Sequence, residues 1–196
     1  MINLIIRRLT TALSIFPTIT NLLELILPLT GLTILLLFIG FQSDFLKLHI
    51  LEKSWQEIVK IIMFSFFIPG LSEEIVFRVL FLPHPTENPL LKTQIIWMII
   101  SLVAFIIYHP FQGLTWNPGA REVFINPNFL ILAALLGVIC TIAYLISGSI
   151  WLSVIIHWLA VVIWIVLLDG FAKFNPPFAL HFVFNFLLGD NHFSRV

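Results

Sequence analysis

The sequence predicts an all-α protein that forms a multi-pass transmembrane helical bundle. Of its 196 residues, 60% are hydrophobic and only 10% are charged, whereas a soluble domain carries about 25% charged residues. Several apolar segments approach the roughly 20 residues that a helix needs to cross hydrocarbon. The 10 basic and 10 acidic residues cancel, which leaves no basic face for nucleic acid. We expect one integral membrane domain over residues 1–196, in a plasma or inner membrane.

About five membrane-spanning segments are predicted. In chain order they cover residues 22–41, 58–82, 92–108, 129–146 and 149–168. Pro69 and Gly70 interrupt the second segment, and Ser72 is predicted to cap its continuation. Pro110 is predicted to end the third, because the residue before a proline avoids the helical region. The fourth and fifth segments are joined only by Ser147 and Gly148, which predicts an antiparallel helical hairpin.

The two ends are predicted to lie at the membrane interface. Residues 1–20 combine Arg7 and Arg8 with apolar side chains, and residues 178–188 are too short to span. Four histidines fall in predicted loops or tails, where we expect them to be solvated: His49, His84, His181 and His192. The distribution of Lys and Arg leaves the membrane orientation open.

Three ionisable residues lie together inside the second apolar segment: Glu73, Glu74 and Arg78. A charge at the centre of a membrane helix costs about 2.5–3.5 kcal/mol on insertion scales. Glu74 precedes Arg78 by four residues, which is the favourable order for an ion pair on a helix. Glu73 points away from Arg78 on the same helix and requires another partner. The pair alone is equally compatible with a purely structural role.

Two other segments each carry a polar stripe that ends in a histidine. Ser101, Phe105 and His109 recur at intervals of four, as do Ser149, Ser153 and His157, so each set shares one helix face. Polar faces in lipid turn inward toward each other. We therefore expect an inward-facing cluster containing Glu73, His109 and His157, although a single intramembrane histidine is often only a hydrogen-bonded packing residue.

These residues resemble the motifs of a known family, the CAAX-protease and bacteriocin-processing (CPBP) glutamate-type intramembrane proteases. Its first motif, E-E-x-x-x-R, is matched by Glu73, Glu74 and Arg78. Its second motif, F-x-x-x-H, is matched by Phe105 and His109, and its last motif centres on a histidine that His157 matches. The resemblance covers about residues 58–168. The Asn or Asp expected four residues after this histidine is replaced by Val161.

The resemblance implies an endopeptidase that cleaves a peptide or a lipid-modified protein tail within the bilayer, without a metal or cofactor. Glu73, Glu74, His109 and His157 would be catalytic, with Arg78 and Phe105 in support. Glu73 would take a proton from a water molecule that His109 orients. His157 would stabilise the oxyanion, while Glu74 and Arg78 would fix the helix and the local field.

Two other functions are also open. The replacement by Val161 favours a catalytically weak or inactive member that binds a peptide as an immunity or scaffold protein. Two histidines and a carboxylate are also of the type found in metal-binding facial triads, although the sequence has no H-E-x-x-H pair. Nothing in the predicted loops identifies a substrate or an oligomeric state.

Overall fold

The computed structural model describes residues 2–174, which form helices and no β-strand. In chain order the helices are α1 (Ile2–Ser14), α2 (Ile19–Gln42), α3 (Trp55–Ser65), α4 (residues 66–80), α5 (Leu91–Leu114), α6 (Arg121–Phe124), α7 (Pro127–Ser147), α8 (Ile150–Leu167) and α9 (Gly170–Lys173). Short 3₁₀ turns occupy Pro85–Glu87 and Pro118–Ala120. The predicted all-α class is confirmed.

Within the described range, four helices are long and apolar enough to cross a membrane: α2, α5, α7 and α8. They correspond to four of the five predicted segments. Most of their outer surface is apolar and exposed; on α2, for example, Leu23 and Leu27 are largely uncovered. Such surfaces suit contact with lipid, so the protein is an integral membrane protein.

The fifth predicted segment, residues 58–82, is broken rather than continuous. It starts as α3, and Ile68 then leaves the helical conformation just before Pro69, as the interruption predicted. The prediction that Ser72 caps a new helix is wrong. Ser72 has helical dihedral angles, and its N–H donates to the carbonyls of Phe67 and Pro69, because the helix has already resumed after the break at Ile68.

The predicted end of α5 at Pro110 is also wrong, since this helix continues to Leu114. Proline removes one backbone donor from the helix, but membrane helices tolerate it where neighbouring groups compensate. The extra turn brings Gln112 and Gly113 onto the buried face of α5. A side chain at position 113 would lie 2.9 Å from the Arg121 Cα atom, so glycine allows the following segment to pack against α5.

Helices α7 and α8 form the predicted hairpin, and the other helices pack around it. Gly148 ends α7 with a φ of 65°, a left-handed conformation that glycine adopts without strain. The indole N–H of Trp158 on α8 donates to the Ile62 carbonyl at 2.8 Å, which fixes α3 and the start of α4 against the hairpin. The predicted interfacial helix 178–188, which includes His181, lies outside the described residues, and so does His192.

The predicted solvation of His84 is wrong, whereas His49 is exposed as predicted. His84 is only 1% exposed. Its Nε2 donates to the Gly148 carbonyl at 2.9 Å, and its Nδ1 lies 2.8 Å from the Thr86 hydroxyl. Arg8 and Glu87 form a two-pronged ion pair beside it, at 2.6 and 2.8 Å. We call the contacts of Arg8, Glu87, His84 and Gly148 the polar tie.

Candidate active site

Helix α4 carries the three charged residues of the first motif, and all three are buried. The Arg78 Nε atom lies 3.1 Å from Glu74 Oε2, and Arg78 Nη2 donates to Glu74 Oε1 at 3.4 Å. The predicted pairing four residues apart is therefore present. Both side chains are fully buried, so each charge depends on the other for compensation.

His157 on α8 lies between the two glutamates. Its Nδ1 is 2.8 Å from Glu74 Oε1, and its Nε2 is 3.9 Å from Glu73 Oε2. Glu74 is thus held by both Arg78 and His157. Glu73 Oε2 has no hydrogen-bond partner within residues 2–174, although the residue is only 6% exposed.

His109 reaches the same region from α5. Its Nδ1 lies 2.9 Å from the Phe105 carbonyl. Because a carbonyl oxygen only accepts, Nδ1 must carry the hydrogen, and the neutral ring keeps a lone pair on Nε2. Among the described contacts, no hydrogen bond joins His109 to Glu73.

The Phe105 ring connects the two histidines and the arginine. Its centre lies 4.8 Å from that of His109 and 6.0 Å from that of His157, both edge-on. The Arg78 guanidinium carbon is 5.2 Å from the same centre, within range of a cation–π contact. Gly137 on α7 permits this placement, because a Cβ atom there would meet Phe105 Cδ1 at 3.1 Å.

Two residues beside this cluster were not identified from the sequence. Gln112, on the extra turn of α5, is buried with its side-chain amide facing the Glu73 carboxylate and the Tyr108 hydroxyl. The Sγ atom of Cys140 on α7 lies with the ligand atoms of Glu74 and His157 inside a 4.8 Å group. Gln112 was missed because α5 was predicted to end at Pro110, before this residue. Cys140 was missed because a single cysteine forms no spacing pattern that would indicate a site.

The Glu74, Cys140 and His157 side chains are of types that bind zinc. This set differs from the Glu73, His109 and His157 triad considered from the sequence. A cation there would have to share Glu74 with the Arg78 guanidinium, which already lies 3.1 Å away. That positive charge makes the group a poor cation site.

The cluster is enclosed by the bundle. Glu73, His109 and His157 are each buried, so a peptide can reach them only after neighbouring side chains move. Val161 lies one turn beyond His157 on α8 and is partly exposed. Its methyl groups offer no hydrogen bond where the resemblance to the last motif leads one to expect an amide or a carboxylate.

The long apolar helices and the buried Glu–Arg–His cluster define a polytopic membrane protein with ionisable groups inside its bundle. A family model described as "Type II CAAX prenyl endopeptidase Rce1-like" matches residues 55–163, which is more than half of the chain. The chain therefore belongs to this family of membrane endopeptidases, and the resemblance found in the sequence is confirmed. No curated protein and no solved structure matches the chain.

Proposed function

We propose that the protein is an intramembrane endopeptidase that hydrolyses a peptide bond with a water molecule activated by Glu73 and His109. The observation that carries this proposal is the difference between two adjacent buried acids. Each acid has one oxygen without a hydrogen bond in the described chain, but Glu74 Oε2 lies 3.1 Å from Arg78 Nε and Glu74 Oε1 lies 2.8 Å from His157 Nδ1. His157 Nε2 approaches Glu73 Oε2 only to 3.9 Å, so Glu73 keeps a free oxygen. An acid that must take a proton requires such a free oxygen.

His109 is suited to orient the water molecule. Because its Nδ1–H is used by the Phe105 carbonyl, its Nε2 can only accept. A water molecule that donates one hydrogen to Glu73 and the other to His109 Nε2 has a lone pair directed at the substrate carbonyl. Phe105 would hold the imidazole in this orientation by its edge-on contact, which explains its supporting role.

His157 is suited to stabilise the tetrahedral intermediate. Because Glu74 accepts its Nδ1–H, the ring can donate from Nε2 only in its imidazolium form. With His157 protonated, the charges of Glu73, Glu74, Arg78 and His157 sum to zero. The His157 Nε2–H, which lies on the side of Glu73, would then donate a hydrogen bond to the oxygen on which negative charge develops.

The proposed reaction balances in two steps. In the first, an O–H bond of water breaks, its proton passes to Glu73, and the hydroxide oxygen bonds to the substrate carbonyl carbon. The carbonyl π electrons move to oxygen, where His157 stabilises them. In the second, the carbonyl re-forms, the C–N bond breaks, and the leaving amine takes the proton from Glu73. No metal or redox cofactor is required.

The family description favours a prenylated protein tail as substrate, and a peptide without a lipid is the alternative. The bilayer is the second partner, since the cluster lies within an apolar bundle. We place the protein in a plasma or inner membrane. Purified protein incubated with matched prenylated and unmodified peptides, followed by mass spectrometry of the products, identifies both the substrate class and the cleaved bond.

The decisive variant is Glu73→Gln, which keeps the shape of the side chain but cannot take a proton. We expect turnover to fall by about 10²–10⁴-fold, the range typical of a lost general base. Glu57→Gln is the matched control, because Glu57 is a partly exposed acid at the start of α3, where its carboxylate accepts from the Ser54 N–H. A Glu73→Gln protein that cleaves as well as the parent would refute the proposal.

A second function, peptide binding without cleavage, is favoured by Val161, which replaces the polar residue of the last motif. In that case Glu73→Gln would leave the cellular phenotype intact, while Arg78→Ala would lower protein abundance. Loss of the phenotype in Glu73→Gln at unchanged abundance would exclude this function. Activity that survives chelators, with no stoichiometric zinc or iron in the purified protein, would exclude the metalloenzyme.

A further inference from the structure

The missing polar residue at position 161 leaves the proposed oxyanion site with His157 as its one assigned donor. The structure offers a second donor on a different helix. Because α5 continues through Pro110, Gln112 lies on the same buried face as Phe105 and His109. Its side-chain amide makes a polar contact with Glu73, and His157 Nε2 lies 3.9 Å from Glu73 Oε2.

The chemistry of the neighbours fixes the orientation of this amide. A carboxylate only accepts hydrogen bonds, so the NH₂ group of Gln112 must face Glu73. The Tyr108 hydroxyl lies against the same side chain and can donate to its carbonyl oxygen. The NH₂ group has two hydrogens, so one remains for a ligand oxygen held beside Glu73.

We infer that Gln112 supplies the oxyanion donor that Val161 cannot, and is therefore a catalytic residue of the proposed peptidase. The inference rests on the proposed hydrolytic function. The amide is provided from α5 instead of from the turn after His157 on α8. The negative charge on the substrate carbonyl oxygen would accept one hydrogen bond from the His157 imidazole on α8 and one from the Gln112 amide on α5.

The test uses purified full-length protein and the peptide that the parent cleaves best. Gln112→Met keeps the length of the side chain without its donors, and kcat should fall roughly 10²-fold with little change in KM, because the donor acts on the transition state. Gln94→Met, on the partly buried first turn of the same helix, is the matched control and should keep the parental kcat.

Rescue separates a catalytic role from a structural one. Val161→Asn restores an amide one turn after His157, so the double variant Gln112→Met/Val161→Asn should regain at least about tenfold in kcat. A Gln112→Met loss without any rescue would overturn the inference, as would a parental kcat. If Gln112→Met does not fold, Gln112→Ala replaces it, since it removes the same donors without adding a charge beside Glu73.

The failure of this inference differs from the failure of the proposed function. If the Glu73→Gln protein is inactive and the Gln112→Met protein keeps the parental kcat, only the role of Gln112 is refuted and the proposed function stands. An active Glu73→Gln, or a parent that cleaves neither prenylated nor unmodified peptides, would overturn both.

Discussion

Two buried polar groups of this membrane protein differ in how completely their hydrogen bonds are satisfied. In the polar tie, Glu87 takes two bonds from Arg8, and both ring nitrogens of His84 have partners. In the Glu–Arg–His cluster, one oxygen of each glutamate and two Arg78 nitrogens have no hydrogen bond from the described residues. Buried polar groups are normally satisfied, so the exceptions point to the region adapted for chemistry.

One atom beside the polar tie also lacks a hydrogen bond from residues 2–174. The Tyr144 hydroxyl, which packs edge-on against His84, also has no hydrogen-bond partner within the described chain. It is a neutral group, whereas the unsatisfied atoms of the cluster belong to two carboxylates and a guanidinium. Leaving a charged group unsatisfied costs more than leaving a hydroxyl unsatisfied. The cluster is therefore the more strained of the two regions.

The largest expected effect on stability comes from Arg78→Met, which removes the charge that compensates Glu74. Both side chains are fully buried, and breaking such a pair typically costs about 3–5 kcal/mol. We expect a large fall in folded protein, measured by thermal unfolding in detergent. Lys47→Met, at an exposed position in the loop after α2, serves as a control for removing a positive charge. An Arg78→Met protein as stable as the parent would show that the pair does not hold the bundle.

A smaller effect is expected from His84→Phe, which keeps a ring but removes both hydrogen-bonding nitrogens. The Gly148 carbonyl then loses its partner, at a cost of about 1–3 kcal/mol. Thermal unfolding should report this loss, while kcat per folded molecule stays at the parental value. A fall in kcat per folded molecule would mean that the polar tie and the cluster are coupled. The two regions could then not be treated as separate.

The smallest effect is expected from Glu87→Gln, at about 1 kcal/mol, because a partly exposed ion pair contributes little. The hydrogen bonds from Arg8 lower the pKa of the Glu87 carboxyl. A carboxyl with a lowered pKa stabilises the folded state above its unfolded pKa, about 4.3, and this stabilisation is lost as the pH falls through the folded value.

The matching measurement is the difference in unfolding temperature between parent and Glu87→Gln as a function of pH. It should be largest near neutral pH and shrink as the pH falls from about 5 toward 3. A difference that does not change with pH would show that the carboxylate charge is not what holds the polar tie together.

The sequence predicts the helical class and the positions of the long apolar helices, because lipid imposes both their length and their composition. It also predicts the Glu74–Arg78 pair, since a spacing of four residues is a local property of a helix. It does not predict that Glu74 contacts His157, which is 83 residues away. That contact depends on how α4 and α8 pack, and no local pattern encodes it.

The wrong predictions for His84 and Pro110 also arise from contacts that are distant in the sequence. His84 was predicted to be solvated because it lies in a polar link, but its partner is the Gly148 carbonyl, 64 residues further on. Pro110 was predicted to end α5 by a local rule, and Gln112 was consequently assigned to a loop. Tertiary packing overrides the local preference at both positions, and in each case a polar side chain becomes part of the buried interior.

The central claim is that Glu73 remains without a full set of partners in order to do chemistry. The most direct measurement is the unfolding temperature and the turnover of Glu73→Gln, determined on the same preparation. Replacing a buried, incompletely paired carboxylate with a neutral amide removes a desolvation cost. We predict an unfolding temperature equal to or above that of the parent, with turnover reduced by roughly 10³-fold. A lower unfolding temperature with parental turnover per folded molecule would contradict the account.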